Sequence, residues 1–445
     1  MTSKDALQFD GTRARCASRT ATRRRLLRGI LIASVGALAL GMPSLTAQAA
    51  SPIKIGVLLP LSGNFAELGQ QTLIGMKIYF DEVGNKAGGH PLQILAEDTQ
   101  GRPDVALTKA RELQGEGAQV LTGVVSSGVA LALNDYSRQH KLPLVFSGDA
   151  GADELTMPGP LANPYVVRTS QNSQTVAAVG ADFAFKQGWR KVVTVGLDYA
   201  GGVDVNFSFA REFCRLGGQV VQAEWPPVGT VDFGPYLTSL NRTANAVETF
   251  APGADGLRLA RQYSEFGLTG KLPIIDVFSG LAAETNLSQL GNAALGIYTS
   301  KPYSPMLKTP ENERFVAQFR KRKGGALPET EAANGWVGAH AIVDAINAVG
   351  GDLADTTKFM AALKAVKFDS PKGEISLDKY GQIVQSLYIR KVEMVNGQPQ
   401  NVPIATYKNV DQFWPYTPAQ YDSFKYTYKE SKASLTDCTK LLAKK

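Results

Sequence analysis

Two short stretches carry the residues best suited to holding a small charged molecule: Gly123-Val-Val-Ser-Ser-Gly128 and Phe146-Ser-Gly-Asp-Ala-Gly-Ala-Asp-Glu-Leu155. Each begins where a buried apolar run stops, Val120–Val124 in one case and Leu144–Phe146 in the other. Small polar residues and glycines take over where a helix should start. Backbone N–H groups at a helix start are unpaired and carry the positive end of the helix dipole. With the hydroxyls of Ser126 and Ser127 they suit a carboxylate. Ala150 and Gly151 would let the backbone approach a ligand closely, and Tyr199, in Asp198-Tyr-Ala-Gly-Gly202, offers a ring and a hydroxyl. Each has an ordinary alternative, respectively an N-cap serine, a tight turn and loop packing.

Catalytic chemistry has no comparable carrier. The three histidines, His90, His140 and His340, are scattered without ligand-like spacing, so no metal site is expected. A Gly-x-Ser-x-Gly elbow, a Walker phosphate loop and a Gly-x-Gly-x-x-Gly fingerprint are all missing from the sequence. No cofactor is expected, and a binding protein is favoured over an enzyme.

The formal net charge of +7 sits almost wholly in residues 1–50, where eight basic residues face Asp5 and Asp10. The near-neutral remainder has no grip on phosphate backbones, so no nucleic-acid partner is expected. The basic start leads into an apolar run over 29–42 and a small-residue exit at Ala47-Gln-Ala49. That is the layout of a cleaved export signal over residues 1–50, with an apolar run too short to span a bilayer. Thr22-Arg-Arg-Arg-Leu-Leu-Arg28 resembles the twin-arginine export box, an ordinary Sec signal with surplus arginines being the alternative. Cys16 would leave with that segment, and Cys214 and Cys438 remain. In an oxidising compartment they read as one disulfide tying the tail to the body, or else as two buried thiols.

The elements that must position these residues follow a clear rhythm after Ser51. Ile53–Leu59 reads as a strand, Thr72–Val83 as a helix stopped by Gly84, and Leu92–Ala96 as a strand. A helix capped by Asp104 comes next. Beyond Thr169 the strands Lys191–Val195, Gln219–Ala223, Ala246–Phe250 and Pro273–Val277 alternate with helices such as Val203–Leu216. This βα repetition predicts an α/β fold with two similar lobes, each a mostly parallel sheet covered on both faces. Three helical segments over 311–366 then follow, and Glu374–Tyr407 is β-rich with a hairpin signal at Asn396-Gly397.

Several of these pieces occur together in one known order. The chain opens with Ile53-Lys-Ile-Gly-Val-Leu-Leu-Pro-Leu-Ser-Gly63, then Gly69 and Gly75. Val125-Ser-Ser-Gly128, Ala150-Gly-Ala152, Arg168-Thr-Ser170, Asp198-Tyr199, Asp232-Phe233, Asn334-Gly-Trp336 and Gly350-Gly351 follow. In this the chain is similar to the leucine/isoleucine/valine-binding family of extracytoplasmic receptors that serve ABC importers, over essentially Ser51–Val410. The resemblance implies a type I periplasmic-binding fold, two Rossmann-like lobes joined by three crossover strands and closing on the ligand by hinge bending. One lobe would comprise 51–169 plus 301–375 and the other 170–300 plus 376–445. The crossings would fall near Val166–Thr169, Tyr298–Lys301 and Glu374–Gln385. It further implies that Ser126 and Ser127 bind a ligand carboxylate with backbone help from Ala150 and Gly151, while Tyr199 closes from the other lobe. The implied partners are a small-molecule carboxylate and the membrane permease of an ABC importer, for a monomeric receptor in the periplasm.

Departures from the family pattern bear on the ligand. Gly151 stands where amino-acid-binding members commonly carry a threonine, and Leu68, beside Phe65, where they carry a tyrosine. Another aromatic contact is replaced around Phe250–Pro252. Asp276 is the nearest acid to the position that takes a ligand ammonium group, its alternative role being to cap the following turn. A more apolar pocket fits the subset of the family that binds aromatic or other carboxylic acids. Branched-chain amino acids, amides and aromatic acids all stay open, as does a sensor that uses the same fold to signal to a partner protein.

Overall fold

The computed structural model describes residues 50–278, 280–423 and 431–444, so the expected export signal and its twin-arginine box lie outside the described residues. Strands β1 (Ile53–Leu59), β2 (Lys86–Ala87), β3 (His90–Asp98), β4 (Val120–Gly123), β5 (Leu144–Phe146) and β6 (Val166–Arg168) form one sheet in the order β2-β3-β1-β4-β5-β6. All pairings from β3 to β6 are parallel, while β2 runs antiparallel to β3. The apolar run of β1 is buried along nearly its whole length, as a strand covered on both faces must be. Helices α1 (Ala66–Glu82), α2 (Pro103–Gly115) and α3 (Ser127–His140) leave the C-terminal ends of β1, β3 and β4.

A second sheet repeats the pattern. It contains β7 (Lys191–Gly196), β8 (Gln219–Glu224), β9 (Ala246–Phe250), β10 (Ile274–Val277) and β11 (Tyr298–Lys301), in the order β8-β7-β9-β10-β11. Beyond β11 it is extended by β12 (Lys367–Ser370), β13 (Gly373–Leu377), β14 (Ile383–Val395) and β15 (Gln398–Val410). The β14–β15 hairpin turns through Asn396 and Gly397 with φ of 50° and 75°, which explains that dipeptide. Helices α4 (Ser173–Lys186), α5 (Ala200–Arg215), α6 (Gly234–Thr238), α7 (Ala254–Glu265) and α8 (Glu284–Leu290) surround this sheet. The later helices α9 (Pro310–Arg322), α10 (Thr330–Ala348) and α11 (Thr356–Lys364) return to the core of the first sheet.

The chain passes between the two cores three times: after β6, after β11 and along β13–β14. On the last passage Ile375 and Ile383 pack into the first core, and Leu387 and Ile389 into the second. Two local expectations change. Helix α1 begins well before Thr72, because its glycines weaken the helical pattern while packing demands them: a Cβ on Gly75 would lie 1.8 Å from the Ala332 carbonyl oxygen. Asp104 does not cap α2; Arg102 is the N-cap, Pro103 occupies the first turn, and Asp104 pairs with Arg102 at 2.6 Å.

Cys214, at the end of α5, and Cys438 form a disulfide across 224 residues, fastening the tail to the second core, where Leu435 and Leu441 are also buried. No helix among the described residues is long and apolar enough to cross a membrane.

Candidate functional site

Among the parallel strands of each sheet the order reverses once, between β1 and β4 in the first and between β7 and β9 in the second. Turns leaving the C-terminal ends of all four strands line a single cavity of about 380 Å³. Ligands of open α/β sheets bind at such reversal points, where neighbouring helices leave on opposite faces and open a crevice. Here two crevices share one space. Gly63–Leu68, Val125, Ser126 and Asp149 supply the first wall, and Tyr199, Phe250, Gly253 and Phe278 the second. The walls approach closely at the rim: Asn64 Nδ2 donates to Asp255 Oδ2 at 3.4 Å, and the Phe65 and Tyr199 rings lie 6.2 Å apart.

Both walls turn on a bulky residue in the left-handed region, Val124 at φ 68° and Phe278 at φ 66°. Such residues rarely adopt this conformation, and where they do the strain gathers at functional sites. Each first donates one more ladder hydrogen bond, Val124 to the Leu58 carbonyl at 2.8 Å and Phe278 to that of Ser300 at 3.1 Å, and then the chain swings away. Ser126 thereby becomes the N-cap of α3, yet its side chain makes no capping hydrogen bond. The first helical bond runs from the Ala130 N–H to the Ser126 carbonyl. N–H groups of Ser127, Gly128 and Val129 therefore have no acceptor within the helix, and a free hydroxyl stands beside them.

The other anion-turn residues support this wall without lining the cavity. The buried Ser127 Oγ accepts the Gly151 N–H at 3.0 Å. Arg168, fully buried, donates to the carbonyls of Ala150 and Gly151 and to that of Ala152 at 2.6 Å. The Ala152 N–H donates to Asp204 of α5. A Cβ at Gly151 would lie 2.8 Å from Ser173 Oγ and 2.9 Å from Ser127 Oγ, so a larger residue there requires those hydroxyls to shift.

Aromatic rings dominate the second wall. Tyr199 stacks with Phe250 at 6.0 Å and 25°, and Phe250 with Phe278 at 6.0 Å and 11°. Phe65 extends the row from the first wall. Burial, reinforced by Asp149, Asp204 and Asp255, pushes the Tyr199 phenol far above the usual tyrosine range, so its hydroxyl stays protonated.

The floor is polar. Lys301 ends β11, while Glu329 and Glu331 flank the start of α10; all three line the cavity and are almost fully buried. Burial opposes the Lys301 charge, but Glu331 and Glu329 outweigh it and raise the pKa. Burial also acts against ionisation of Glu331. Lys301, a hydrogen bond from Asp149 and the helix-start N–H nevertheless hold its carboxyl below the ordinary value. Glu329 is pushed up to about 8, by burial first and then by Glu284 and Glu331, against the pull of Lys301 and the Thr285 N–H. Asp149 is raised well above the carboxylate range by burial and by Glu331. It accepts from Gln171 at 2.8 Å and Asn334 at 2.7 Å, and Asn334 in turn accepts from Lys372 at 2.6 Å. Burial and mutual repulsion thus push Asp149 and Glu329 toward the protonated form, while Lys301 favours the ionised form of Glu331.

Asp276 does not reach this cavity. It is fully buried and accepts the Leu281 N–H at 3.1 Å, the turn-capping alternative. Of the residues expected from sequence, Ser126, Tyr199 and Phe65 meet at the cavity, while Ser127, Ala150 and Gly151 lie behind its wall. The floor acids escape sequence reasoning because acids at a helix start read as ordinary partners of the helix dipole. Only the return of the chain after β11 brings them under the reversal points.

A two-sheet α/β chain with its cavity between paired reversal points has the type I periplasmic-binding fold. Residues 52–399 match the family described as periplasmic binding protein, and the chain belongs to that family. Leu/Ile/Val-binding protein homolog 6 of Brucella melitensis is 33% identical over 381 residues, covering 83% of this chain and 96% of the relative. An ABC transporter substrate-binding protein from Sphaerobacter thermophilus is 32% identical with a TM-score of 0.76, covering 81% of this chain and 99% of that one. A solute binding protein of an ABC transporter from Rhodopseudomonas palustris BisB5, solved in complex with 3,4-dihydroxy benzoic acid, is 31% identical with a TM-score of 0.76. That match covers 81% of this chain and 98% of the other.

Proposed function

We propose that this receptor captures a small aromatic carboxylate and delivers it to the membrane permease of an ABC importer. One observation carries the reading: the row Phe65–Tyr199–Phe250–Phe278 and the start of α3 at Ser126, whose side chain makes no capping bond, line one cavity. The ligand carboxylate sits on Ser126 and the N–H groups of α3, with the Tyr199 hydroxyl as a further donor and the ring against the aromatic row. The complex of the Rhodopseudomonas relative supports an aromatic acid. A branched-chain amino acid is the second reading, favoured by the name of the Brucella relative and by Glu331, an ionised partner for an ammonium group.

The receptor acts as a monomer, since one chain completes the cavity. Its lobes are 51–169 plus 301–375 and 170–300 plus 376–445, and it reaches the periplasm by the twin-arginine route. It binds without turnover. A signalling role is not favoured, because the relatives named are transport receptors. A thermal-shift screen of aromatic acids against leucine, isoleucine and valine tests the ligand class. Stabilisation by aromatic acids alone supports the first reading, and stabilisation by the amino acids alone replaces it with the second.

A further inference from the structure

The cavity floor contains two carboxyl oxygens with no hydrogen-bond partner among the described residues. Glu329 and Glu331 are each only 3% exposed and both line the cavity. On each, one oxygen is engaged: Glu329 Oε1 accepts the Thr285 N–H at 2.9 Å, and Glu331 takes the hydrogen bond from Asp149. The second oxygen of each, Oε2, is buried without a hydrogen-bond partner among the described residues. Leaving such groups unpaired is costly, so a pair of them in the wall of a ligand cavity calls for donors on the ligand. Among the described residues, no group of histidine, cysteine, aspartate or glutamate is arranged to hold a metal ion.

We propose that Glu329 and Glu331 form a distal subsite for hydroxyl groups on the ligand ring, so that the receptor selects hydroxylated aromatic acids over unsubstituted ones. This rests on the aromatic-carboxylate reading and adds to it the chemistry at the other end of the ligand. A hydroxyl suits the floor because it both donates and accepts. A single hydroxyl donates to Glu331, which stays ionised, and accepts from Glu329 when that acid is protonated; a second, neighbouring hydroxyl can donate to Glu329 when it is ionised. A methyl group, an alkyl side chain or a bare ring edge brings neither donor nor acceptor, and a methoxy group brings no donor for Glu331.

The test is calorimetric titration of the wild-type protein with benzoate, para-hydroxybenzoate, para-methoxybenzoate and 3,4-dihydroxybenzoate. The hydroxylated acids are expected to bind about ten-fold or more tightly than benzoate, the methoxy acid, which has no donor for Glu331, showing a smaller gain. In Glu331→Gln and Glu329→Gln the ratio of hydroxylated to unsubstituted acid is expected to fall. Equal affinity for benzoate and its hydroxylated forms, or a ratio untouched by both substitutions, overturns the subsite while leaving an aromatic-acid receptor. Binding of leucine with no aromatic acid bound overturns both.

Discussion

Val124 and Phe278 are structural counterparts: each follows the last residue of a parallel strand, and each adopts a left-handed φ, 68° and 66°. Each then sends the chain into the wall of the same cavity. Neither is a glycine, the residue such a turn would favour. Both side chains are buried, Val124 beneath α3 and Phe278 in the aromatic row, so packing holds a conformation the backbone resists. The cavity is therefore built on two strained corners, one from each half.

Ser126 and Ser127 should separate cleanly despite being neighbours. Ser126→Ala is expected to weaken carboxylate binding about ten-fold with the melting temperature of the free protein unchanged, because its hydroxyl makes no capping bond. Ser127→Ala removes the acceptor of the Gly151 N–H and should cost about 1–2 kcal/mol of stability. Denaturant melts beside titrations of both variants check the pair. Equal effects of the two on binding would contradict the division of roles.

Gly151→Thr should break the turn. The first added carbon meets Ser173 Oγ and Ser127 Oγ, so stability falls by about 1–3 kcal/mol, with loss of ligand binding. Thermal unfolding of the variant measures this. A variant as stable as wild type would show that the turn has room.

Phe250 is the centre of the aromatic row, contacting both Tyr199 and Phe278. Phe250→Leu keeps an apolar wall but removes the stack, and should weaken aromatic acids several-fold, by on the order of 1 kcal/mol. Competition between an aromatic and an aliphatic acid on the variant reads the effect. An unchanged preference would place the ligand ring elsewhere.

The burial of Glu329 predicts a pH signature in stability. Its folded pKa of about 8 lies above the ordinary 4.5, so the folded protein keeps the proton through that window while the unfolded chain loses it. The favourable contribution is full below the unfolded value and disappears as pH rises through the folded one. Glu329→Gln does not titrate. Its stability relative to wild type should therefore rise between pH 5 and pH 8, by on the order of 1–3 kcal/mol. A difference constant across that window would mean that the Glu329 carboxyl is ionised throughout.

The Cys214–Cys438 bridge closes a long loop and holds the tail on the second core. Replacing both cysteines by serine should lower stability by about 2–4 kcal/mol while leaving ligand affinity unchanged. Chemical denaturation and titration of the double variant check both halves of the statement.

The fold was readable in the sequence where patterns are local. Apolar runs marked β1, β4 and β9, Asn396-Gly397 marked the hairpin, and the glycine–serine stretch after β4 marked the anion-friendly start of α3. The site was readable only in part. Ser126 and Tyr199 stood out because each follows a strand, and strand ends are where ligands bind. Lys301, Glu329 and Glu331 did not, because their meaning comes from the chain crossing back after β11. Asp276 also lies at a strand end, where it accepts the Leu281 N–H and is not among the residues lining the cavity. Register places a residue near a site, and the next hydrogen bond decides whether it faces the ligand.

The most direct test of the account is a crystal structure of the protein with para-hydroxybenzoate bound. The carboxylate is predicted to lie on Ser126 and the N–H groups at the start of α3, with the ring beside Tyr199 and Phe250 and the hydroxyl on Glu329 and Glu331. A carboxylate seated on Lys301 with the hydroxyl toward Ser126, or a ligand outside this cavity, would contradict it.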